Sequence, residues 1–221
     1  AGSGHIVAPP AERRGVPYYD DPVYALQNAA LTAEAWQAVT TQLLLAPDGT
    51  RSLSRKKLAL MLGIKAARYD VVLTTCANCR PTSDNWLRLM ARNFVEGTDV
   101  VLGCSHYRYH RDRRVGRRWR VFTSVTAGVQ WLVAAIDRRP FRGTSDNLAY
   151  RKKCFFDVHG FARTMHLRWG EDDVFLKQIA HGGNTRVELD PDSQLNVYYE
   201  NLPHAHRLRK MRRDFTSQFV S

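Results

Sequence analysis

Apolar residues recur along the chain with two different spacings, and these spacings predict alternating helices and strands. Residues 55–68 place Leu58 and Leu62 at helical spacing behind Ser54, a residue type that caps helices. The next apolar run, residues 70–75, is short, nearly continuous and rich in β-branched residues. Such a run is typical of a strand buried on both faces of a parallel sheet. A helix that leads into a buried strand predicts an α/β fold.

The same order continues through the middle of the chain. Ser83 is expected to cap a helix over residues 84–94, and residues 100–103 form another short apolar run. Residues 121–136 are apolar all round, which is typical of a helix inside a core. The alternative is a helix that rests on a membrane interface. We favour the core.

The first fifty residues do not follow this order. Residues 1–22 are rich in proline, glycine and charge, which predicts an irregular arm, and residues 22–45 have the composition of a helix. Residues 46–49 are turn formers that end this helix. The sequence therefore divides into an atypical or truncated N-terminal part, residues 1–50, and one domain over residues 51–221.

Basic residues outnumber acidic ones by 33 to 21, and the formal net charge is +12. The excess is concentrated in residues 108–120 and 204–213, which predicts a surface that faces an anion, although a merely solvated face stays open. Nucleic acid is disfavoured as the partner because neither cluster matches a known nucleic-acid motif. No run of about eighteen apolar residues occurs, so no continuous membrane-spanning helix is expected.

Four cysteines without a secretory signal indicate reduced thiols in a cytosolic compartment. Two of them, Cys76 and Cys79, belong to the turn that follows the strand predicted over residues 70–75. Ligands of α/β proteins bind at this end of a strand. A zinc site needs four ligands, and the chain has no second pair with matching spacing, so zinc is disfavoured.

Three adjacent carboxylates, Glu171, Asp172 and Asp173, precede an apolar run. One interpretation is an ordinary helix start, because the helix dipole favours acids in the first turn. The other is catalytic: crowding and partial burial raise the pKa of one carboxyl group, which becomes a general base. Residues 141–152 also have two interpretations, a plain hairpin or a glycine-containing loop that approaches a ligand closely.

Six motifs follow one another in a fixed order. They are the Lys-Lys helix of residues 54–67, the strand of residues 71–75, Pro81-x-Ser83-x-x-Trp86-Leu87, Val101-Leu102-Gly103, Asn147 to Lys152, and Gly170 to Phe175. The ordered set resembles the bacterial, inverting family-two glycosyltransferases, and the likeness covers about residues 50–215. It implies a GT-A-like, Rossmann-related mixed sheet flanked by helices. It also implies a nucleotide-diphospho-sugar donor, commonly UDP- or GDP-linked, whose sugar moves to an acceptor hydroxyl with inversion.

The resemblance implies roles for individual residues. Asp172 aligns with the catalytic base, and Glu171 and Asp173 would tune that base or hold the acceptor. The donor diphosphate would be bound by Lys57, by the turn residues Cys76 and Asn78, and by the cations Arg209 and Arg212. The acceptor pocket would be lined by Arg142, Gly143, Asn147 and Tyr150.

The sequence also differs from the family pattern in two places. Relatives hold Mg²⁺ or Mn²⁺ with an acidic pair in the turn after the strand, whereas this chain has Cys76 and Asn78, which are poor ligands for hard cations. Nothing in residues 1–50 resembles the first nucleotide-binding strands, so we expect these strands to be missing. The alternative function is therefore a non-catalytic, glycosyltransferase-like binding or scaffold protein.

The resemblance implies a saccharide or lipid-linked acceptor, and the basic clusters suit a lipid-linked one and peripheral contact with a membrane. Together with the resemblance, they imply an enzyme of polysaccharide or glycolipid synthesis. We expect it in the cytoplasm, at the cytoplasmic face of the inner membrane.

Overall fold

The computed structural model describes residues 54–108, 117–198 and 202–220, so the arm and helix predicted within residues 1–50 lie outside the described part. The helices are α1 (Arg55–Ala66), α2 (Trp86–Ala91), α3 (Arg117–Ile136), α4 (Lys152–Asp157), α5 (Asp173–Ile179) and α6 (Leu202–Val220). The strands are β1 (Val71–Thr74), β2 (Cys79–Pro81), β3 (Val100–Gly103), β4 (Ser105–Arg108), β5 (Leu148–Arg151), β6 (Thr185–Glu188) and β7 (Leu195–Tyr198). Short 3-10 turns occur at Ala162–Thr164 and Pro191–Ser193.

The strands form two mixed sheets. The larger sheet has the order β1-β5-β3-β6, in which β5 is antiparallel to both neighbours and β3 is parallel to β6. The smaller sheet has the order β2-β7-β4, with β7 antiparallel to β2 and parallel to β4. Helices flank these sheets, so the prediction of a mixed α/β fold is confirmed.

Strand β3 has core on both of its faces because its side chains alternate between two apolar clusters. Val100 and Leu102 pack in one cluster with Phe175 of α5. Val101 points the other way and packs with Trp86 of α2. The three β3 side chains are at most 2% exposed. Burying each one stabilises the fold by roughly 1.5–3 kcal/mol.

Several predicted elements are confirmed. Helix α1 begins after Ser54, whose hydroxyl accepts a hydrogen bond from the amide of Lys57 at 3.5 Å. The apolar run of residues 100–103 is present as strand β3, and the segment of residues 141–152 contains strand β5. The helix predicted after Ser83 is shorter than expected and covers only Trp86–Ala91.

Two expectations about burial are wrong. Strand β1 lies at the end of the larger sheet and pairs antiparallel with β5, so its four residues are half-buried rather than enclosed in a parallel sheet. Helix α3 buries Ala127 and Ala135 but leaves large apolar side chains on its other face exposed. Within the described residues no helix is long and apolar enough to cross a bilayer.

Candidate functional site

The three acids predicted from the sequence lie at the beginning of α5, and Gly170 makes the turn that places them there. Gly170 has a φ angle of 101°, and a Cβ atom at this position would lie 2.8 Å from Cγ2 of Val174. Glycine is therefore required by both the backbone and the packing. Asp172 is the N-cap of α5, and its Oδ1 accepts a hydrogen bond from the amide of Asp173 at 2.9 Å.

A guanidinium from α6 bridges the first two acids. Arg212 donates from Nη2 to Oε1 of Glu171 at 2.7 Å and to Oδ2 of Asp172 at 2.8 Å. Lys56 of α1 donates to the same Oε1 at 2.6 Å. Burial alone would raise the pKa of Glu171, but the charges of Arg212 and Lys56 outweigh it and hold this pKa below its usual range. Oε2 of Glu171 is buried and has no hydrogen-bond partner.

The third acid occupies a different environment. Asp173 accepts a hydrogen bond from the hydroxyl of Thr216, and its Oδ2 lies 3.5 Å from Nε of Arg142. Burial, followed by the nearby charge of Asp172, raises the pKa of Asp173 to about 7. The pKa values of Glu171 and Asp173 thus shift in opposite directions, and the raised pKa belongs to Asp173.

A fourth acid, Asp146, joins this group from the loop before β5. Its carboxylate accepts a hydrogen bond from Nη2 of Arg209 at 2.6 Å, and the Arg209 guanidinium lies 4.2 Å from the centre of the Tyr107 ring. Burial, and then the neighbouring thiol of Cys76, raise the pKa of Asp146 well above its usual range. The charge cluster is defined here as the acids Asp146, Glu171, Asp172 and Asp173 with the cations Lys56, Arg142, Arg209 and Arg212.

The turn after β1 meets this cluster through Cys76. Its sulfur lies 4.0 Å from Oγ of Ser145, whose amide donates to Oδ2 of Asp172 at 3.5 Å. A hydrogen bond from the Cys79 thiol, and then the charges of Lys56 and Arg212, lower the pKa of Cys76 well below its usual value. The acids at α5 and the turn after β1 therefore share one site, as the sequence interpretation requires.

Lys57 does not join the cluster, although the resemblance implied a role at the diphosphate. Its side chain is fully buried, and its ammonium donates to the carbonyl oxygens of Thr164, Leu167 and Trp169 at 2.5, 3.0 and 2.9 Å. An ammonium has three N–H groups, so these carbonyls use its full capacity. Lys57 is a structural anchor for the loop before the acids, and Lys56 is the lysine that reaches them.

Three other predicted site residues hold the fold together. The amide of Asn78 donates to the carbonyl of Tyr198 at 2.9 Å, so it secures the end of β7 rather than a ligand. The amide of Asn147 accepts from Nε1 of Trp86 and donates to two carbonyls, each at 3.0 Å. Tyr150 is 2% exposed and packs edge-on against Phe175, which places it in the core rather than in an acceptor pocket.

Arg142 and Gly143 line a small cavity of about 100 Å³ between α3 and the strands β3 and β4. Its other walls are largely apolar and include Leu102, Val125, Val129 and Leu132. The acids of α5 do not line it. Arg142 belongs to both places, because its side chain also approaches Asp173 and donates to Oγ of Ser217 at 3.1 Å.

Lys56 and Asp146 are site residues that the sequence interpretation missed. Asp146 belongs to the loop that leads into β5, where loop side chains gather at a sheet edge. Lys56 and Lys57 are adjacent on one helix, so they point about 100° apart. The motif gave no signal to say which of the two faces the acids.

The turn after β1 does not fit a hard divalent cation. Cys76 offers a soft sulfur, and the side chain of Asn78 is engaged with Tyr198. Over the described residues, no group of three or more His, Cys, Asp or Glu side chains is arranged to hold a metal ion. The cationic side chains at this site are Lys56, Arg142, Arg209 and Arg212.

No protein-family model matches this chain, and no curated protein matches it significantly.

Proposed function

We propose that this chain binds a nucleotide-diphospho-sugar in a GT-A-type domain and transfers the sugar, with inversion, to an acceptor hydroxyl. The observation that carries the proposal is the meeting of the α5 acids with Cys76 and the α6 cations in one cluster. A general base and a set of cations are the two parts that this reaction needs, the first for the hydroxyl and the second for the departing diphosphate.

Asp172 is the proposed base. Its Oδ1 accepts a hydrogen bond from the helix amide of Asp173, whereas Oδ2 accepts one from the Arg212 side chain at 2.8 Å and a longer one from the Ser145 amide at 3.5 Å. Oδ2 is therefore the atom that would take the proton from the acceptor hydroxyl as this oxygen attacks the anomeric carbon. The buried Oε2 of Glu171 lacks a hydrogen-bond donor, so one acceptor atom beside the proposed base is unsatisfied.

The cations of the cluster fit a diphosphate without a metal. Lys56, Arg142, Arg209 and Arg212 carry four positive charges, and four acids face them. Burial disfavours the charged forms of Asp146 and Asp173, so these two carboxyl groups offset the cations less than the ion pairs alone indicate. A diphosphate would then bind to Arg212 and Arg209 and release Oδ2 of Asp172 for catalysis.

Calorimetry and a transfer assay test this proposal together. Titration of UDP- and GDP-sugars into the chain should give binding heat without Mn²⁺ or Mg²⁺. Asp172→Asn should keep that binding and lose transfer by at least about a hundredfold, because a positioned base contributes this much. Asp214→Asn, an exposed acid on α6, is the matched control and should leave transfer unchanged. Full transfer by Asp172→Asn would contradict the assignment of the base.

The alternative function is a non-catalytic binding or scaffold protein. It is favoured by the fact that Asp146, Glu171 and Asp172 already have cationic partners at 2.6–2.8 Å, as in a structural ion-pair network. The loss of the acidic pair at Cys76 and Asn78 points the same way. Absence of heat with every nucleotide-sugar tested, with and without Mn²⁺, would favour this alternative.

A further inference from the structure

Helix α3 presents a row of large apolar side chains to solvent. We propose that this row, together with the basic residues at the two ends of the helix, docks in the plane of an anionic lipid bilayer surface. The assignment is independent of the proposed sugar transfer, because no residue of the charge cluster belongs to the row.

The α3 stripe is defined as the six exposed side chains Trp119, Phe122, Val125, Val129, Val133 and Ile136. Their spacings of three or four residues place them on one face of the helix. Each is between 46% and 67% exposed. Residues 121–136 contain no ionisable side chain, so no charge interrupts this face. A contiguous exposed apolar surface of this kind marks an interaction site.

The opposite face fixes the helix to the domain, so the stripe stays on the outside. Ala135 is buried in the main core, and Leu132 packs against it. The guanidinium carbon of Arg142 lies 5.8 Å from the centre of the Trp131 ring. Thr123 is hydrogen bonded to His206 of α6. Val125 and Val129 also border the cavity beside Arg142, and the other four side chains of the stripe project outward.

The charge at both ends of α3 selects an anionic partner. Residues 108–120, which lead into the helix, contain seven arginines and one aspartate. Arg118 is exposed at the first turn, and Arg138 and Arg139 are exposed just after the last turn. When such a helix lies on a bilayer, its apolar side chains can enter the acyl layer while the arginines at its two ends contact the anionic headgroups.

This charge pattern argues against a second copy of the chain as the occupant of the stripe. Parallel or antiparallel pairing of two α3 helices would bring basic ends together, and like charges repel. The 20-residue helix is also about 30 Å long, at 1.5 Å per residue, so it can lie along a surface over its whole length. It does not have the apolar length needed to cross a bilayer.

Vesicle flotation tests the docking surface. The chain is mixed with vesicles of phosphatidylcholine alone or of phosphatidylcholine with phosphatidylglycerol, and the bound fraction is measured at low and high salt. The wild type should float with the anionic vesicles only, and salt should reduce its binding. Phe122→Glu and Val129→Glu should lower the partition at least about tenfold, since each places a charge in the apolar face.

Val95→Glu and Leu189→Glu are matched controls, because both side chains are 48% exposed but lie outside the stripe. They should bind vesicles like the wild type, and thermal unfolding should show all four variants folded. Equal binding by stripe and control variants would overturn the proposal, as would equal binding to neutral vesicles or none at all. A dimer in sedimentation that Val129→Glu dissociates, without vesicle binding by the wild type, would identify the stripe as a self-association surface instead.

Discussion

Arg212 connects the catalytic proposal with the stability of the fold, and its replacement by alanine gives the sharpest test of the charge cluster. One guanidinium serves two carboxylates, Glu171 at 2.7 Å and Asp172 at 2.8 Å. The Glu171 side chain is only 2% exposed, so it would be left buried with Lys56 as its remaining cation. Removing one partner of a buried pair costs about 3–5 kcal/mol.

The magnitude is smaller here because the Arg212 side chain is itself 29% exposed. Water can replace part of the lost interaction, so we expect Arg212→Ala to lower the free energy of unfolding by about 2–4 kcal/mol at pH 7. With a urea m-value of about 2 kcal/mol/M for a domain of this size, the unfolding midpoint should fall by about 1–2 M. Circular dichroism during urea titration measures this shift.

The pH dependence gives a second signature. Arg212 and Lys56 hold the pKa of Glu171 in the folded protein below its value in the unfolded chain. The contribution of these ion pairs to fold stability is therefore present above the unfolded-state pKa and is lost as pH falls through the folded-state pKa. Without Arg212 the buried carboxyl can take up a proton, so the defect should be smaller at pH 5 than at pH 7.

Lys210→Ala is the matched control for Arg212→Ala, since Lys210 is exposed on the same helix and should change stability by less than about 0.5 kcal/mol. An Arg212→Ala midpoint equal to that of the control would refute the reasoning, because the two carboxylates would then not depend on this cation.

Three further predictions concern single groups of the site and of its supporting elements. The pKa of Asp173 is raised to about 7 in the folded protein, so its contribution to stability is complete below the unfolded pKa and is lost as pH rises through 7. Relative to Asp173→Asn, the wild type should therefore lose about 2–3 kcal/mol in its free energy of unfolding between pH 5 and pH 8. Urea titrations at the two pH values measure this loss. Gly170→Ala should destabilise the fold by about 1–3 kcal/mol, because residue 170 has a φ of 101° and an added Cβ would clash with Val174. Gly128→Ala should instead stabilise the fold by up to about 1 kcal/mol, because residue 128 lies on α3 with open space around the added Cβ. Iodoacetamide at pH 6–7 should modify Cys76 first, as read by peptide mass mapping, because its pKa is lowered.

Each of these predictions has a result that would contradict it. A difference between wild type and Asp173→Asn that does not change with pH would mean that Asp173 ionises normally in the fold. Equal stability of the two glycine variants would remove the requirement for glycine at residue 170. Preferential labelling of Cys104, the other half-buried thiol, would show that the charges around Cys76 do not activate it.

The sequence predicted elements well where local signals and packing agree. The apolar run of residues 100–103 became the central strand β3 because both of its faces are covered. The similar run of residues 71–74 became an edge strand, and nothing within the run distinguishes these outcomes, since the number of neighbouring strands is set by the whole chain. The prediction that helix α3 lies inside the core was wrong for a related reason. A helix that is apolar on all sides gives no indication of which side packs against the domain and which side faces solvent.

The site was predictable in kind but not in detail. The run of acids at residues 171–173 and the basic segment of α6 were evident, and the structure brings them together. The three acids are adjacent, yet their environments diverge because one side chain turns toward Arg212 and Lys56 and another toward Thr216. Side-chain directions of this kind follow from tertiary packing and leave no local trace in the sequence.

The buried ammonium of Lys57 also sets the order in which this domain can be completed. It binds carbonyls that lie 107 to 112 residues later in the chain, so its position in α1 is satisfied only after a large loop has closed. During synthesis, α1 leaves the ribosome long before Thr164 or Trp169 exists. Until then the lysine must remain in water, and the first helix of the domain cannot settle into its final place.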